Sequence, residues 1–387
     1  MPPPKVKVKK RKKKILPRIL LLLLVALIGV VIYAASVLFL YKPDASNDLD
    51  IPFETDAVTD ENGNLSTEIP VEVDKNSYNF LVVATDKVSG LTDVIMIVNY
   101  NTKTQGISVM QIPRDTYVEL EDYNYHKING AYRYYLSGRK GEENAEVLAL
   151  RDFADFLEKN ICVKIHYTAL VGLDGFGSIV DAIGGVEMYV PQDMKYPDPE
   201  QNLYIDLKEG YQTLDGDKAE QFVRYRAGYA NGDLGRGDAQ KLFMTAFIKK
   251  LASSISLTDV GTLTTLATTV YENISTDLKI NDIVYFGKHF MGLTGGGRVD
   301  LSNVNMLTLP GASFYYDLSY YSVNKEATIN VINNYFNIYT YDVTPSFDKY
   351  KVFINEDSER SVYVYDLPEA ELKTEIFNGE QLDQDGL

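Results

Sequence analysis

Apolar and polar positions divide the chain into regions of different character. From Ile19 to Tyr41 the chain reads ILLLLLVALIGVVIYAASVLFLY, with no charged residue. A run of about 20 apolar residues rising 1.5 Å each matches a hydrocarbon core of ~30 Å, which predicts a membrane-spanning helix. From Pro43 to Asn76 the residues are polar, acidic and Pro-containing, the composition of a tether. Short apolar runs then alternate with helical spacing to about Ile338, a stretch long enough to bury a core. Phe80–Ala84, Val94–Asn99, Ile107–Ile112, His166–Val171 and Val186–Val190 are rich in Val and Ile and predict strands. Asn144–Leu157 carries apolar residues at Val147, Leu148, Leu150, Phe153 and Leu157, which is helical spacing. Gly175–Ile183, Asp217–Tyr225 and Asp238–Leu251 predict further helices, and Gly184-Gly185 ends the first of these. Strands interleaved with helices imply a layered α/β fold around a buried sheet. No internal repeat is present. Beyond Tyr339 the segments KVFI and SVYVYDL allow a strand or two, and the last 20 residues read as acidic and loose.

Charge sharpens the division. Nine of the 38 basic residues lie in the first 18 positions, and the first acid is Asp44. The remainder holds 29 bases against 54 acids, a net charge of −25. A lysine cluster just before the apolar run places the N-terminus in the cytoplasm and everything after Lys42 outside. Ala34-Ala35-Ser36 would pass as a signal-peptidase site, but the apolar run continues past it and is longer than a signal core, so an uncleaved anchor is expected. The basic stub suits anionic lipid. A single cysteine, Cys162, excludes an internal disulfide and a cysteine-built metal site; beside Ile161 and Val163 it reads as a core residue. The chain has 29 tyrosines and no tryptophan; aromatic hydroxyls suit carbohydrate contact but also ordinary surface strands, so they decide nothing.

Three segments set charge beside core-like residues. In FVRYRAGYANGDLGRGDAQ, Arg224 and Arg226 flank Tyr225; if the stretch is extended, both guanidiniums project to one side. Arg binds phosphate oxygens bidentately and keeps its charge. A Gly-rich loop then brings Asp233 and Arg236, and a helix starting near Asp238 would point its N-terminus at that loop, favouring an anion. The alternative is a solvated, salt-bridged turn. In QIPRDTY, Pro113 fixes the chain as it leaves a strand and Arg114 projects over the strand end, where α/β proteins hold ligands; the alternative is an exposed Arg114–Asp115 pair. Asp86 follows one strand and Asp93 precedes another. Two hard oxygen donors near phosphate suit Mg²⁺, although Asp also caps turns. Lys127, in HKINGAY, could reach a phosphate. His126 reads as surface and His166 as strand-borne, with no zinc spacing. Neither a nucleophile elbow nor a P-loop ending is present.

The order TDKVSGLTDVIMIV, SVMQIPRDTYVEL, HKINGAY, GFGSIVDAIGGVEMYVP, IDLKEGYQTLDGDKAEQFVRYR and DLGRGDAQ resembles the LytR-CpsA-Psr family over about Tyr78–Leu251, and more weakly to Asn337 through TLPGASFYYD. The resemblance implies a layered α/β/α domain with a central mixed β-sheet behind one N-terminal transmembrane helix. It implies an enzyme that moves an anionic glycopolymer, teichoic acid or capsular polysaccharide, from a polyprenyl-pyrophosphate carrier to a peptidoglycan hydroxyl in a Gram-positive-type envelope. An apolar pocket would take the lipid. By the same resemblance Asp86 and Asp93 hold Mg²⁺ or Mn²⁺. Arg114, Lys127, Arg224, Arg226, Arg236 and Gln240 hold the pyrophosphate, and Asp233 joins the catalytic set as a candidate base beside Asp86 and Asp93. Many members carry an Arg in an R-[ST]-D string before the second aspartate; here Ser89-Gly90-Leu91-Thr92-Asp93 has none.

The expected organisation is a basic cytoplasmic stub (1–18), a transmembrane helix (19–41), an extracellular linker (42–76), a catalytic domain (77–338) and an acidic extension (339–387). The expected partners are the lipid-linked glycopolymer, peptidoglycan and the bilayer. The alternative is a non-catalytic binder of polyprenyl phosphate or wall polymer. Nucleic acid is not expected as a partner, because the acidic body would repel it and no helix-turn-helix is recognisable.

Overall fold

A computed structural model describes residues 41–43, 58–59, 65–66, 73–85, 90–199, 203–229, 233–254, 260–294, 297, 299, 301–315, 318–343 and 377–378. The chain divides into two compact units, Met1–Pro43 and Asp44–Leu387. Apart from Tyr41, the span at 19–41 lies outside the described residues. No helix among the described residues is long and apolar enough to cross a membrane. The segments KVFI and SVYVYDL also lie outside them.

The second unit is built on a seven-stranded mixed sheet. Its first strands are β1 (Ser77–Thr85), β2 (Thr92–Asn101) and β3 (Ile107–Gln111). Helices α1 (Ala131–Gly138) and α2 (Ala145–Ile161) precede β4 (Tyr167–Gly172), which is followed by α3 (Leu173–Ala182). Strands β5 (Val186–Val190), β6 (Met194–Asp198), β7 (Leu203–Leu207) and β8 (Gly210–Leu214) form two ribbons, β5 with β8 and β6 with β7. Helices α4 (Gly216–Arg224), α5 (Asp233–Ser254) and α6 (Val260–Glu272), strand β9 (Ile274–Thr276) and helix α7 (Ile280–Phe290) follow. The described order closes with β10 (Val304–Thr308), the hairpin β11 (Gly311–Tyr315) and β12 (Ser319–Val323), α8 (Lys325–Tyr335) and a two-residue strand β13 (Phe377–Asn378). The main sheet runs β9-β4-β1-β2-β3-β10-β13. Strands β1 and β4 pair in parallel, as do β3 and β10; the other neighbours are antiparallel.

Alternation along the strands decides which layer each side chain joins. Ile95, Ile97 and Met110 face a core shared with Ala149, Leu150, Phe153 and Leu157 of α2 and with Val331 and Ile332 of α8. Met96, Val109 and Met306 face the opposite core, which includes Ile248 of α5, with Phe286 and Phe290 of α7 packed against it. Helices therefore cover both faces of the sheet. A third cluster joins the ribbons to α4 and α5 through Met188, Ile205, Phe222 and Phe243. The helical spacing read for Asn144–Leu157 is real but runs on to Ile161, and Asn144 is the left-handed residue before it. The sheet continues into the C-terminal segment read as loose, where Phe377 pairs with Met306.

This topology brings one end of the sheet into focus. The parallel strands β1, β3, β4 and β10 finish there, and antiparallel β2 begins there. In open α/β sheets this carboxyl end is where ligands are held.

Candidate functional site

Among the described residues, five charged side chains meet at that end. Asp93, the second residue of β2, accepts from Arg114 Nη1 at 2.5 Å through Oδ1, and Arg236 Nη2 lies 3.5 Å from the same oxygen. Asp115 Oδ1 lies 3.0 Å from Lys127 Nζ and 3.9 Å from Arg114 Nε. The segments come from distant parts of the chain, yet each is locally fixed. Pro113 ends β3 in a turn whose carbonyl accepts from the Thr116 amide and hydroxyl. The Arg114 carbonyl accepts from Asn129 N, and the Asp115 carbonyl from Tyr321 N of β12. Thr92 Oγ1 donates to the Asn129 carbonyl, tying the start of β2 to the same place. Lys127 sits over the Tyr320 ring at 5.6 Å. Its charge is thus aimed by a carboxylate and an aromatic face.

Arg236 and Gln240 reach the site differently from the sequence expectation. The helix expected near Asp238 begins at Asp233, so α5 already includes Asp233, Gly235, Arg236 and Gly237. Its period places Arg236 and Gln240 on one face, four residues apart. Gln111, the last residue of β3, donates from Nε2 to Gln240 Oε1 at 2.9 Å, and Gln240 Nε2 donates to the Val223 carbonyl at 3.2 Å. Gly237 permits this approach, because a Cβ there would stand 3.0 Å from Gln111 Oε1. Arg236 is only 7% exposed, and an arginine so buried needs a carboxylate such as Asp93.

The paired projection expected of Arg224 and Arg226 is not found. Arg224 is the last residue of α4, and its Nη1 donates to Glu220 Oε1 at 2.7 Å, one turn earlier. The chain becomes extended at Tyr225, and Arg226 is exposed in the following turn. The physical reason lies at the other end of α4. Asp215 caps it by accepting from Lys218 N, so helical periodicity holds through Arg224. Asp86 lies outside the described residues, and for Asp233 only the backbone is described. Cys162 is buried, as a core residue should be. His126, read as surface, is half-buried and stacked on Tyr117, with ring centroids 5.3 Å apart. His166 immediately precedes β4, and its Nδ1 accepts from Asn79 N.

Two further residues join the arrangement. Gln111 was hidden in an apolar strand run, and its placement as the strand's last residue is the only available signal. Lys241 is 5% exposed on α5; its Nζ lies 2.9 Å from both Thr308 Oγ1 and Asp238 Oδ1. The sequence reading missed it; a lysine three residues after Asp238, and so on the same helix face, is the signal that could have found it.

Chemically, among the described residues three cations face two carboxylates at one strand end, a net positive group in an acidic chain. Such a site suits an anion with several oxygens. Among the described residues no group of three or more His, Cys, Asp or Glu is placed to hold a metal alone. Asp93, 35% exposed, is a hard oxygen donor beside the anion site. That fits a cation such as Mg²⁺, which binds one or two carboxylates and completes its shell with phosphate oxygens and water.

Comparison with known proteins identifies the family and the fold. A 272-residue stretch is 29% identical to the cell wall biosynthesis protein LcpA of Corynebacterium glutamicum, covering 67% of this chain and 49% of LcpA. The match thus spans about half the length of that relative. The teichoic acid transferase TagU of Oceanobacillus iheyensis is 25% identical over 264 residues, covering 67% of this chain and 75% of TagU. The crystal structure of B. subtilis TagV shares the fold with a TM-score of 0.51 at 22% identity, covering 67% of this chain and 95% of that one. The LytR_cpsA_psr family model matches residues 51–337, and the chain belongs to that family.

Proposed function

We propose that this protein is a membrane-anchored extracellular phosphotransferase that moves an anionic glycopolymer from a polyprenyl-pyrophosphate carrier to peptidoglycan. The observation that carries the reading is the convergence of Asp93, Arg114, Asp115, Lys127 and Arg236 at the carboxyl end of the sheet. Relatives add support: TagU and TagV are named polyisoprenyl-teichoic acid–peptidoglycan teichoic acid transferases, and LcpA a cell wall biosynthesis protein. The charge-free run before the domain supports an anchor in the cell membrane with the N-terminus in the cytoplasm.

In the reaction, an acceptor hydroxyl oxygen forms a bond to the polymer-side phosphorus. The bond from that phosphorus to the bridging oxygen breaks, and polyprenyl phosphate leaves. The hydroxyl proton passes to a carboxylate, for which Asp233, Asp86 and Asp93 are the candidates. Arg114, Lys127 and Arg236 oppose charge as it moves onto the bridging oxygen, the electrostatic term that dominates phosphoryl transfer. Arg224 and Arg226 extend the same positive field from the end of α4, and Gln240 offers a neutral donor. Asp93 and Asp86 would hold Mg²⁺ or Mn²⁺, which when bound neutralises pyrophosphate oxygens. The non-catalytic alternative predicts binding without transfer.

The test is a transfer assay with lipid-linked polymer, peptidoglycan and Mg²⁺. Arg114→Ala should lower polymer attachment by about two orders of magnitude, the usual loss for a removed transition-state donor. Arg224→Ala should lower it less, by roughly tenfold, because Arg224 is already engaged by Glu220. Attachment no faster with wild-type protein than with Arg114→Ala would overturn the enzyme reading.

A further inference from the structure

Six of the chain's 29 tyrosines stand in the 19 residues from Tyr117 to Tyr135, a crowding that sets this stretch apart from the rest of the chain. Among the described residues, four of them and Phe156 of α2 form a chain of neighbouring rings. Centroids lie 6.2 Å apart for Tyr125 and Tyr123, 5.2 Å for Tyr123 and Tyr134, 5.1 Å for Tyr134 and Tyr135, and 6.4 Å for Tyr135 and Phe156. All five residues are half-buried, so the chain of rings is a surface stripe and not core. It starts at the candidate site. Tyr117 and Lys127 form an antiparallel bridge and Val118 N donates to His126 O, so the loop between them leaves and returns beside Lys127. Tyr125 is two residues from Lys127, at most ~7 Å along the chain. Tyr134 and Tyr135 sit on α1, and Asn129 N, just before that helix, donates to Arg114 O.

The rings are presented in an unusual sense. A surface tyrosine ordinarily buries its ring and wets its hydroxyl. Tyr123 does the reverse. Its hydroxyl is buried with no hydrogen-bond partner, while the residue as a whole is half-buried, so the exposed part is ring. Gly130 makes room for this: a Cβ there would stand 2.6 Å from Tyr125 Cδ1 and 2.8 Å from the Tyr123 hydroxyl. Both side chains therefore lie directly on the backbone at the start of α1. An unpaired hydroxyl turned inward is unfavourable, and its counterpart is an apolar ring face held at the surface. Tyr189, which meets Tyr211 on the ribbons, is ordinary by this measure: its hydroxyl donates to Glu209 Oε1 at 3.0 Å.

Ring faces of this kind suit sugars, whose C–H faces pack on aromatic rings while their hydroxyls stay in water. The interplanar angles, 74°, 52°, 76° and 51°, disfavour a run of parallel stacked bases and suit a chain whose successive rings turn. Charge selects among glycans. Residues 116–156 hold eight acids against five bases, which repels a polyanion and leaves an uncharged glycan unaffected. We propose that the stripe from Tyr125 through Tyr123 and Tyr134 to Tyr135 is the docking track for the acceptor, an uncharged stretch of glycan strand whose hydroxyl it delivers beside Lys127 and Arg114. The assignment rests on the transferase reading above.

The test uses the full chain in detergent. Binding of an uncharged oligosaccharide, the hexamer of N-acetylglucosamine, is measured by calorimetry, and KM values for peptidoglycan and for lipid-linked polymer are measured in the transfer assay. Tyr134 joins the two halves of the stripe, so Tyr134→Ala should weaken hexamer binding about tenfold and raise the peptidoglycan KM by a similar factor, with the lipid-linked polymer KM unchanged. Tyr134→Phe keeps the ring and should stay within about twofold of wild type, as should Tyr211→Ala on the ribbons. Wild-type protein that does not bind the hexamer, equal affinity in Tyr134→Ala, or an equal loss in Tyr211→Ala overturns the track. Transfer with the peptidoglycan KM unmoved in Tyr134→Ala also overturns it and leaves the transferase reading standing. Hexamer binding that depends on Tyr134, in a wild-type protein that transfers nothing, overturns the transferase reading and leaves the stripe as a glycan-binding surface.

Discussion

Asp115 follows Arg114 in sequence, but its short contact is to Lys127, at 3.0 Å against 3.9 Å for Arg114. Neighbours along a strand or turn point apart, so the adjacent pair offered by the alternative reading of the sequence is the weaker one. The residue types at this site were therefore legible, while their pairing was not. The same limit applies to Arg224, whose partner Glu220 becomes adjacent only once the segment is helical. Coupling within the site is measurable. Asp115→Ala and Lys127→Ala should each weaken pyrophosphate binding by about tenfold, and the double variant should fall short of their product. A double-mutant cycle read by calorimetry checks this; full additivity would mean that the two side chains act separately.

At the scale of elements, strand existence was readable from Val and Ile content, and helix α2 from its apolar spacing. The start of α5 was not, because the glycines of DLGRGD read as a loop. Gly237 costs helix propensity of ~1 kcal/mol relative to Ala, a deficit tolerated because Gln111 occupies the space. Gly237→Ala should leave stability within about 1 kcal/mol, as the propensity gain offsets the 3.0 Å contact, while displacing Gln111 from Gln240. Denaturation midpoints should hardly move while pyrophosphate affinity falls; unchanged affinity would show that the Gln111–Gln240 bond is dispensable.

The entry of β4 carries a pH dependence. Burial, reinforced by the Lys164 and Arg151 charges, pushes His166 down to about 4, and its Nδ1 accepts from Asn79 N. An unfolded histidine titrates near 6.5. Between those values the unfolded chain takes up a proton that the native state refuses, so stability is complete above about 6.5 and declines as pH falls toward 4. The full loss is on the order of 3 kcal/mol. Glu158, beside Lys164 and the Ile165 amide, is pushed up by burial; its protonation works in the opposite sense and trims the loss. His166→Gln should flatten the decline. Urea midpoints from about pH 7.5 to 4.5 decide it, and an unchanged slope would remove His166 as the cause.

At the scale of the molecule, the layered α/β architecture was legible because strand-like and helix-like runs interleave. Strand order was not, because β3 and β10 pair in parallel across 197 residues, a contact that no local pattern announces. That pairing bears on the order in which the protein assembles. Strands β1, β2 and β3 are antiparallel neighbours joined by short connections and can zip up locally, bringing Asp93 and Arg114 together early. Closing the long loop to β10 carries more chain entropy, and parallel pairing of distant segments is slow. Pulse-labelled hydrogen exchange during refolding should show β1–β3 amides protected before those of β10; simultaneous protection would mean a single concerted step. For a domain proposed to fold beyond the membrane, Asp93 and Arg114 would stand exposed on an unfinished sheet until β10 docks.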